Sequence, residues 1–384
     1  MNTRRDFLAA AAAGSALFAA APLMAQSGEA KIGAVVPTQG ARGALPMPIN
    51  APGTFKRFVP VTRIGQGGAP AGNNFQANTP QDIDAMLQAA WDGGMRTFDT
   101  SPWYGLGLSE RRFGHFLSNQ PRDAYVLSTK IGRVLTASSA PSKTSWKQPS
   151  PFDYRYDYSA AGVRRSVEDS LQRLGVSRLD IVYVHDLSPD NGDMGARWTE
   201  YFTQAEKGAF PELTRMREEG LIKAWGMGVN TPQPALRAIE VADPDMMLLA
   251  CQYSLLDHDQ ALRETFPKLQ ARDVSVMVGS PLLAGYLVGR ERYLYGGRPV
   301  PKGAAEKRRL AGEIAQRHGV DLRTAALQFA AAPTLVSSII PGARNAAQAA
   351  ANAESMRVAI PAAFWEDLRR AKVITAEAPV PRSA

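Results

Sequence analysis

The chain of 384 residues has a single cysteine and only four histidines. Cys251 lies within an apolar segment, so no internal disulfide can form. The histidines are not grouped with cysteine or acidic residues at the spacing of metal ligands, so we expect no metal. No internal apolar run reaches the roughly 20 residues of a membrane-spanning helix. An internal repeat and the glycine-rich fingerprint of a doubly wound dinucleotide-binding domain are also missing.

Charge of one sign does not dominate any internal region of the chain. Lysine and arginine total 44 against 36 acidic residues, a formal charge of +8. The charges are mixed along helices, as at Arg215, Arg217, Glu218 and Glu219. This pattern is more typical of a solvated surface than of a nucleic-acid patch, so we expect no nucleic-acid partner.

The amino terminus has the pattern of an export signal. Two arginines lie within Arg4 to Leu8, an alanine-rich apolar run covers 9–21, and a small residue, Ala25, follows. The paired arginines followed by Phe and Leu resemble a twin-arginine signal, although Leu23 occupies a position usually held by a small residue. An ordinary secretory signal and a membrane anchor are the alternatives. We expect residues 1–25 to direct export to the periplasm by the twin-arginine machinery.

The rest of the chain divides into three parts by composition. Residues 26–57 are rich in Gly, Pro and Ala without periodicity, which predicts a linker or an extended arm. Residues 58–375 alternate short apolar segments with helix-length stretches, and 376–384 form a tail. A chain of this size is compatible with one α/β barrel.

Six apolar segments each end on a polar residue. Short apolar strands that alternate with helices predict a parallel sheet buried on both faces. We count eight strand-helix units, the first strand at 61–64, and predict an α/β fold: a single (β/α)8 TIM barrel with long loops at its C-terminal face. Catalytic groups of such barrels lie at the carboxyl ends of the strands. The polar residues are Asp99, Lys130, His185, Asn230, Gln252 and Ser280.

Three long loops interrupt this pattern, at 132–158, 186–196 and 280–303. The first contains Trp146, Tyr154, Tyr156 and Tyr158. Loops of this length inside a compact domain are usually functional or disordered. The aromatic residues favour a loop that covers a bound ligand as a lid. A loop that lies on the protein surface without contacting a ligand is the alternative.

Three motifs resemble the signatures of the aldo-keto reductase superfamily. They are the segment from Phe98 to Gly105 (FDTSPWYG), Ser128-Thr129-Lys130, and Val184-His185-Asp186. The resemblance covers about 58–373. The segments 106–110, 132–135 and 166–175 are similar to the branch of D-threo-aldose (L-fucose/D-arabinose) 1-dehydrogenases and pyridoxal 4-dehydrogenases.

The resemblance implies a catalytic tetrad of Asp99, Tyr104, Lys130 and His185. Carbonyl reduction needs hydride at carbon and a proton at oxygen, and a tyrosine with an ordinary pKa of about 10 can donate that proton. A nearby Lys130 would lower this pKa, and Asp99 would keep the lysine charged. His185 would orient the substrate oxygen. Trp103, which precedes the proposed acid, is expected to line the substrate pocket.

The resemblance also implies a nicotinamide cofactor. Asn230 and Gln252 would bind the carboxamide, and the phosphates would contact Ser280, Leu282 and the helix amino terminus after strand eight. Many relatives have an aromatic residue that stacks on nicotinamide where this chain has Gly279, so stacking is lost or supplied elsewhere. The remaining predicted cofactor residues are Gly342, Ala343, Arg344, Gln348 and Asn352.

The identity of the cofactor stays open between NADP and NAD. Relatives strict for NADP have Lys-Ser where this chain has Gly342-Ala343, although Arg344 could still bind a 2′-phosphate. We expect hydride transfer between the cofactor and a small carbonyl or hemiacetal, with an aldose oxidised to its lactone as the first candidate. A general aldehyde or ketone reductase and a non-catalytic nucleotide-binding regulatory subunit are the alternatives. The sequence leaves the oligomeric state unknown.

Overall fold

The computed structural model describes residues 45–295 and 299–381. The predicted signal at 1–25 and most of the predicted arm lie outside these residues. Within the described ranges, no helix combines the length and the apolar character needed to cross a bilayer.

Eight strands form one parallel sheet in chain order. Backbone bridges join Ile64 to Ile339 and Gly67 to Gly342, so the first and last strands meet and the sheet nearly closes. The predicted (β/α)8 barrel is confirmed. The barrel strands are β1 (Gln66–Gly67), β2 (Thr97–Asp99), β3 (Val126–Ile131), β6 (Ile181–His185), β7 (Ala224–Val229), β8 (Met246–Ala250), β9 (Ser275–Gly279) and β10 (Val336–Ile340), and a separate hairpin consists of β4 (Arg133–Ala137) and β5 (Phe152–Tyr156).

Helices follow the strands, and two of them begin at a residue whose side chain caps the helix. The Thr79 side chain accepts a hydrogen bond from the backbone of Asp82, and the Ser159 side chain accepts one from Gly162. Such caps satisfy amide groups that have no partner within the helix. The helices are α1 (Pro80–Asp92), α2 (Leu108–Leu117), α3 (Ala160–Leu174), α4 (Trp198–Lys207), α5 (Ala209–Glu218), α6 (Pro232–Val241), α7 (Phe266–Gln270), α8 (Ala304–Arg317), α9 (Leu322–Ala331), α10 (Ala346–Ser355) and α11 (Ala362–Arg370).

Two local predictions differ from the structure. The first strand pairs at Gln66–Gly67 instead of 61–64, where only single bridges form. The sequence predicts one helix after the loop at 186–196, ending at Gly220, and the structure divides it into α4 and α5 at Gly208. A Cβ at Gly208 would lie 2.7 Å from the carbonyl oxygen of Tyr158, so only glycine allows this close approach.

The predicted loop at 132–158 contains the antiparallel hairpin β4–β5. Arg133 pairs with Tyr156, and Leu135 pairs with Tyr154. Because side chains alternate along a strand, Tyr154 and Tyr156 share one face of β5. The hairpin is inserted between β3 and β6, directly beside the carboxyl ends of the barrel strands.

The opposite end of the barrel is covered by part of the predicted arm. Asn50 donates hydrogen bonds to the carbonyl oxygens of Pro60 and Ser337, and Arg57 forms ion pairs with Asp243 and Asp245. Next to it, Phe58 packs against the apolar cluster inside the barrel. Residues 45–58 therefore cover the amino ends of the strands, away from the predicted catalytic residues.

Candidate active site

A buried ion pair lies at the carboxyl ends of β2 and β3. The Lys130 ammonium is 2.7 Å from the Asp99 carboxylate and donates a second hydrogen bond of 2.7 Å to the Thr100 carbonyl. Ser128 donates to the other oxygen of Asp99 at 2.7 Å. Burial raises the pKa of Asp99, while Lys130 and Ser128 oppose that rise. These bonds hold both charged groups in one position below the barrel mouth.

The Tyr104 ring lies directly above this ion pair. Its centroid is 4.6 Å from the Lys130 ammonium and 5.7 Å from the His185 ring, which meets it edge-on at 82°. Burial and the Asp99 carboxylate raise the pKa of Tyr104 well above its ordinary value. The expected lowering of this pKa by Lys130 is wrong in net direction, because burial, followed by the Asp99 carboxylate, raises the pKa of Tyr104.

The His185 side chain is neutral and has a defined orientation. Burial and the charges of Lys130 and Arg133 lower its pKa well below the ordinary value. The Ser101 hydroxyl lies 3.0 Å from Nδ1 of His185 and accepts a hydrogen bond from the Trp103 amide at 3.1 Å. In the tautomer in which Ser101 donates to Nδ1, the hydrogen of the neutral ring lies on Nε2. Ser101, which sequence reasoning missed, therefore holds the His185 ring and can leave its Nε2 as a donor toward the mouth.

Aromatic side chains form a wall beside Tyr104. The Trp103 ring contacts Trp146 at 5.9 Å and Tyr154 at 4.9 Å between centroids. The guanidinium carbon of Arg133 lies 4.4 Å from the Trp103 ring and 5.1 Å from the Tyr156 ring. The aromatic residues of the 132–158 segment therefore face the barrel mouth, and Trp103 lies within the wall that they form.

Two charged residues at the mouth were not predicted from the sequence as site residues. Arg133 forms an ion pair with Asp186 at 2.9 Å, with 4% of the arginine side chain and 20% of the aspartate side chain exposed. Asp186 also lies 3.5 Å from Nε2 of His185. The only signals were the Gly132-Arg133 segment, which served as a branch marker, and the position of Asp186 directly after the histidine.

The predicted carboxamide ligands lie at the ends of neighbouring strands. Asn230, after β7, donates a hydrogen bond to the Asp190 carboxylate at 3.1 Å. Gln252, after β8, donates one to the Val229 carbonyl at 3.1 Å. Each amide nitrogen is therefore held by the protein, and this arrangement orients the amide oxygens as acceptors for a ligand amide.

Ser280 and Leu282 follow β9 on the same side of the mouth. The Ser280 hydroxyl is 2.6 Å from the hydroxyl of Tyr295, a half-exposed residue of the third long loop that sequence reasoning did not identify. A Cβ at Gly279 would lie 3.1 Å from that of Ala250, so the barrel leaves little room for a larger side chain there. Tyr295 instead brings an aromatic ring to this part of the mouth.

Three arginines cluster near the amino end of α10. Burial and the neighbouring charges of Arg290 and Arg292 lower the pKa of Arg344. Arg344 donates a hydrogen bond of 2.9 Å to Gln76, and the Arg292 guanidinium lies 3.5 Å from the centroid of the Phe75 ring. An anion would relieve the repulsion among these like charges, so the cluster is compatible with the phosphates of a dinucleotide.

The other predicted cofactor residues lie in the same helix or just before it. Gly342 is exposed, whereas Ala343 is 1% exposed. The Gln348 side chain accepts a hydrogen bond from the Arg344 amide at 3.1 Å. Asn352 is 2% exposed. Their cofactor roles stay predictions, and the chemistry of the donor set, amides on one side and guanidiniums on the other, fits a nicotinamide dinucleotide.

Metal-ligating side chains show no comparable grouping. Among the described residues, no set of three or more His, Cys, Asp or Glu side chains could hold an ion. Of the remaining histidines, His115 is exposed, and His258 is buried against Phe329, where its Nε2 accepts a hydrogen bond from the Thr375 amide.

The profile of the Aldo/keto reductase family matches residues 63–372. The chain belongs to this family. It is an aldo/keto reductase whose matched region contains all four residues of the predicted tetrad and every described strand of the barrel.

Two curated aldo/keto reductase relatives match this chain over nearly their whole length. D-threo-aldose 1-dehydrogenase of a Pseudomonas species is 35% identical over 82% of this chain and 95% of that protein. Pyridoxal 4-dehydrogenase of Microbacterium luteolum is also 35% identical, with the same coverage of 82% and 95%. L-galactose dehydrogenase of Arabidopsis thaliana is 28% identical over 76% of this chain and 83% of that protein.

Solved structures support the fold of this aldo/keto reductase. An aldo-keto reductase from Bacillus halodurans in its holo form aligns with a TM-score of 0.63 at 22% identity, over 88% of this chain and 99% of that one. A glycerol dehydrogenase from Gluconobacter oxydans aligns with a TM-score of 0.62 at 20% identity, over 89% and 98%. At these identities the likeness establishes the barrel architecture alone.

Proposed function

We propose that this aldo/keto reductase transfers hydride between NAD(P) and a small carbonyl or hemiacetal, and that it oxidises an aldose at its anomeric carbon to the lactone. The observation that carries the proposal is the stacking of Tyr104 over the Lys130–Asp99 ion pair, beside the neutral His185. This arrangement supports roles for Tyr104 as proton donor, His185 as hydrogen-bond donor and Lys130 as a fixed cation around one point of the mouth.

The four residues divide the proton chemistry between them. In reduction, Tyr104 gives its hydroxyl proton to the substrate oxygen while His185 donates a hydrogen bond from Nε2 to the same oxygen. In oxidation, the Tyr104 oxygen accepts the proton of the substrate hydroxyl. Lys130 stabilises the phenolate that this exchange creates, and Asp99 keeps the lysine in place. The bound nicotinamide supplies or accepts the hydride.

Cofactor binding would use the two sides of the mouth. Asn230 and Gln252 would hold the carboxamide, and Ser280, Leu282 and the residues from Gly342 to Arg344 would hold the phosphates. The cluster of Arg290, Arg292 and Arg344 favours a cofactor with an additional phosphate, which supports NADP, whereas the Gly342-Ala343 pair leaves NAD open.

The choice of an aldose is supported by the relatives and by the wall of the mouth. One relative at 35% identity is a D-threo-aldose 1-dehydrogenase. The flat faces of Trp103 and Trp146 suit the C–H faces of a sugar ring, and the neighbouring polar groups suit its hydroxyls. A pyridoxal-like aldehyde is the second candidate, because the other relative at the same identity is a pyridoxal 4-dehydrogenase.

Export is also part of the proposal. The residues from Arg4 to Leu8 support a twin-arginine route, which carries folded proteins, to the periplasm. An exported dehydrogenase would bind its cofactor before export and retain it. Dialysis of protein recovered from the periplasm, followed by mass spectrometry, tests this. Loss of the nucleotide within minutes would contradict retention.

The activity itself is tested with the purified protein and both oxidised cofactors. L-fucose, D-arabinose and pyridoxal are offered in turn, with absorbance at 340 nm and mass spectrometry of the product. Formation of a sugar lactone supports the proposal. Reduction of simple aldehydes without sugar oxidation would favour a general reductase, and no turnover in either direction would favour a regulatory subunit.

A further inference from the structure

The side chains of His185, the last residue of β6, and of Asp186, which follows it, both face the barrel mouth. Consecutive strand side chains normally point to opposite faces. Asp186 has a φ of +46°, a left-handed conformation that aspartate tolerates better than most residues. Its amide donates to the Gly228 carbonyl at 2.9 Å, and its carbonyl accepts from Asn191 at 3.0 Å. The turned backbone brings the side chains of His185 and Asp186 together.

The Asp186 carboxylate is held by neighbouring side chains and is still accessible to solvent. One oxygen is 2.9 Å from the Arg133 guanidinium and 3.5 Å from Nε2 of His185. The side chain is nevertheless 20% exposed, in contrast to 4% for Arg133. The pKa of Tyr104, raised mainly by burial and Asp99, is raised further by Asp186. Asp186 is therefore within electrostatic range of the proposed acid.

The Arg133 side chain is buried and held by several contacts, unlike a surface arginine that only forms an ion pair. Its guanidinium lies against the rings of Trp103 and Tyr156, and its Nε is buried without a hydrogen-bond partner. A buried unpaired donor costs free energy, so the side chain is held there by Asp186 and the aromatic rings. Arg133 holds the Asp186 carboxylate at 2.9 Å and prevents it from turning away from the mouth.

We propose that Asp186 accepts a hydrogen bond from a hydroxyl on the carbon next to the reacting carbon, and that Arg133 is its positioning residue. This pair makes the enzyme selective for 2-hydroxyaldehydes and their hemiacetals over plain aldehydes. The inference rests on the proposed function. It assigns a substrate contact to a residue outside the tetrad, and it explains why a carboxylate lies within 3.5 Å of His185 without belonging to the Lys130 ion pair.

The test uses two substrates that differ by one hydroxyl, lactaldehyde and propanal, reduced by the full-length enzyme with NADPH or NADH. We expect wild type to prefer lactaldehyde (each enantiomer assayed separately) by about 10- to 100-fold in kcat/KM, the range for one hydrogen bond to a charged group. Asp186→Asn should lower this preference about fivefold to tenfold, mainly through KM for lactaldehyde, since a neutral acceptor binds less strongly. Asp186→Ala should abolish it.

Arg133 is tested by comparing two replacements. Arg133→Met should lose the preference as Asp186→Asn does, and Arg133→Lys, which keeps the cation, should recover part of it. Asp193→Asn is the matched control, because Asp193 lies on the same loop and accepts hydrogen bonds from Tyr154 and Tyr156 without contacting His185. It should retain the wild-type preference. Thermal unfolding of each variant checks that it folds.

The outcomes distinguish failure of the proposed Asp186 contact from failure of the proposed oxidoreductase activity. Wild-type turnover with a preference below about twofold would overturn the subsite and leave the oxidoreductase intact. The same conclusion follows if Asp186→Asn keeps the preference, or if Asp193→Asn loses as much of it. Turnover of neither aldehyde, together with no oxidation of any aldose, would remove the proposed function itself.

Discussion

The hydroxyl of Ser101 lies 3.0 Å from Nδ1 of His185, and the Trp103 amide donates a hydrogen bond to the same hydroxyl oxygen at 3.1 Å. Ser101 comes two residues after Asp99, so a single segment of chain supplies both the carboxylate under Lys130 and the group that orients the histidine. The two halves of the proposed proton chemistry are therefore coupled through the backbone at 99–101.

Replacement of Ser101 by alanine should lower kcat about 2- to 10-fold with little change in KM, the effect of losing one neutral hydrogen bond. The reason is that either nitrogen of His185 could then carry the proton. Steady-state kinetics on the purified variant measure this. Ser118→Ala, at an exposed serine after α2, is the control and should behave as wild type. An unchanged kcat in Ser101→Ala would remove the orienting role.

Tyr104→Phe should reduce kcat by about 10²–10⁴-fold, the usual contribution of a general acid. The ring contacts with His185 and Trp146 persist in the variant, so folding and thermal stability should be close to wild type. Single-turnover absorbance at 340 nm measures the chemical step. A variant that keeps more than a tenth of wild-type turnover would show that another group donates the proton.

Lys130→Met should move the pH dependence of oxidation to higher pH. Oxidation needs the Tyr104 phenolate, so the rate rises as the phenol loses its proton. Burial and Asp99 raise this pKa in the wild type, and removing a nearby cation makes the phenolate still less favourable. The rising limb of kcat/KM for oxidation against pH is the measurement, and a limb at the wild-type pH would exclude this role of Lys130.

The same substitution should destabilise the protein by about 3–5 kcal/mol, because Asp99 would remain buried without its partner. Adding Asp99→Asn to Lys130→Met removes the unpaired charge and should recover part of that loss. Chemical denaturation of the two variants compares their free energies of unfolding. Equal free energies of unfolding for the single and double variants would show that the unpaired Asp99 charge does not cause the loss of stability.

Trp103→Ala should change substrate preference more than it changes thermal stability, because the ring is half-buried in the wall of the mouth. Trp91→Ala is the matched control. Trp91 packs against Phe98 and Tyr125 away from the mouth, so its loss should cost stability, about 3–5 kcal/mol, and leave preference unaltered. A large loss of stability in Trp103→Ala with unchanged preference would place Trp103 in the packing of the barrel instead.

The barrel and the strand-end positions of Asp99, Lys130 and His185 could be predicted because the sequence patterns that indicate them are local. Each strand is a short apolar run, and Asp99, Lys130 and His185 lie at the ends of three of them. The caps at Thr79 and Ser159 are likewise encoded within four residues of sequence. A parallel barrel then brings all strand ends together without further information.

The features that were missed depend on contacts between distant segments. The strands β4 and β5 are separated by the Ser- and Pro-containing segment 138–151, which has no tight-turn pattern to indicate a hairpin. The break at Gly208 depends on the approach of Tyr158, and the raised pKa of Tyr104 depends on burial. Arg133 and Asp186 are charged residues in loop segments, and only the folded chain shows that they meet.

The alternation of side chains in the hairpin limits how this mouth can change during evolution. Tyr154 and Tyr156 face the mouth, while Arg155 between them is exposed. A shift of β5 by one residue against β4 would turn Arg155 inward and both tyrosines outward. Insertions in 138–141, before Trp146, can therefore vary in length without consequence for the wall, whereas an odd-numbered change within β5 would replace an aromatic surface with a second cation beside Arg133. Lineages of this enzyme should differ freely in the hairpin tip and keep the parity of its strands.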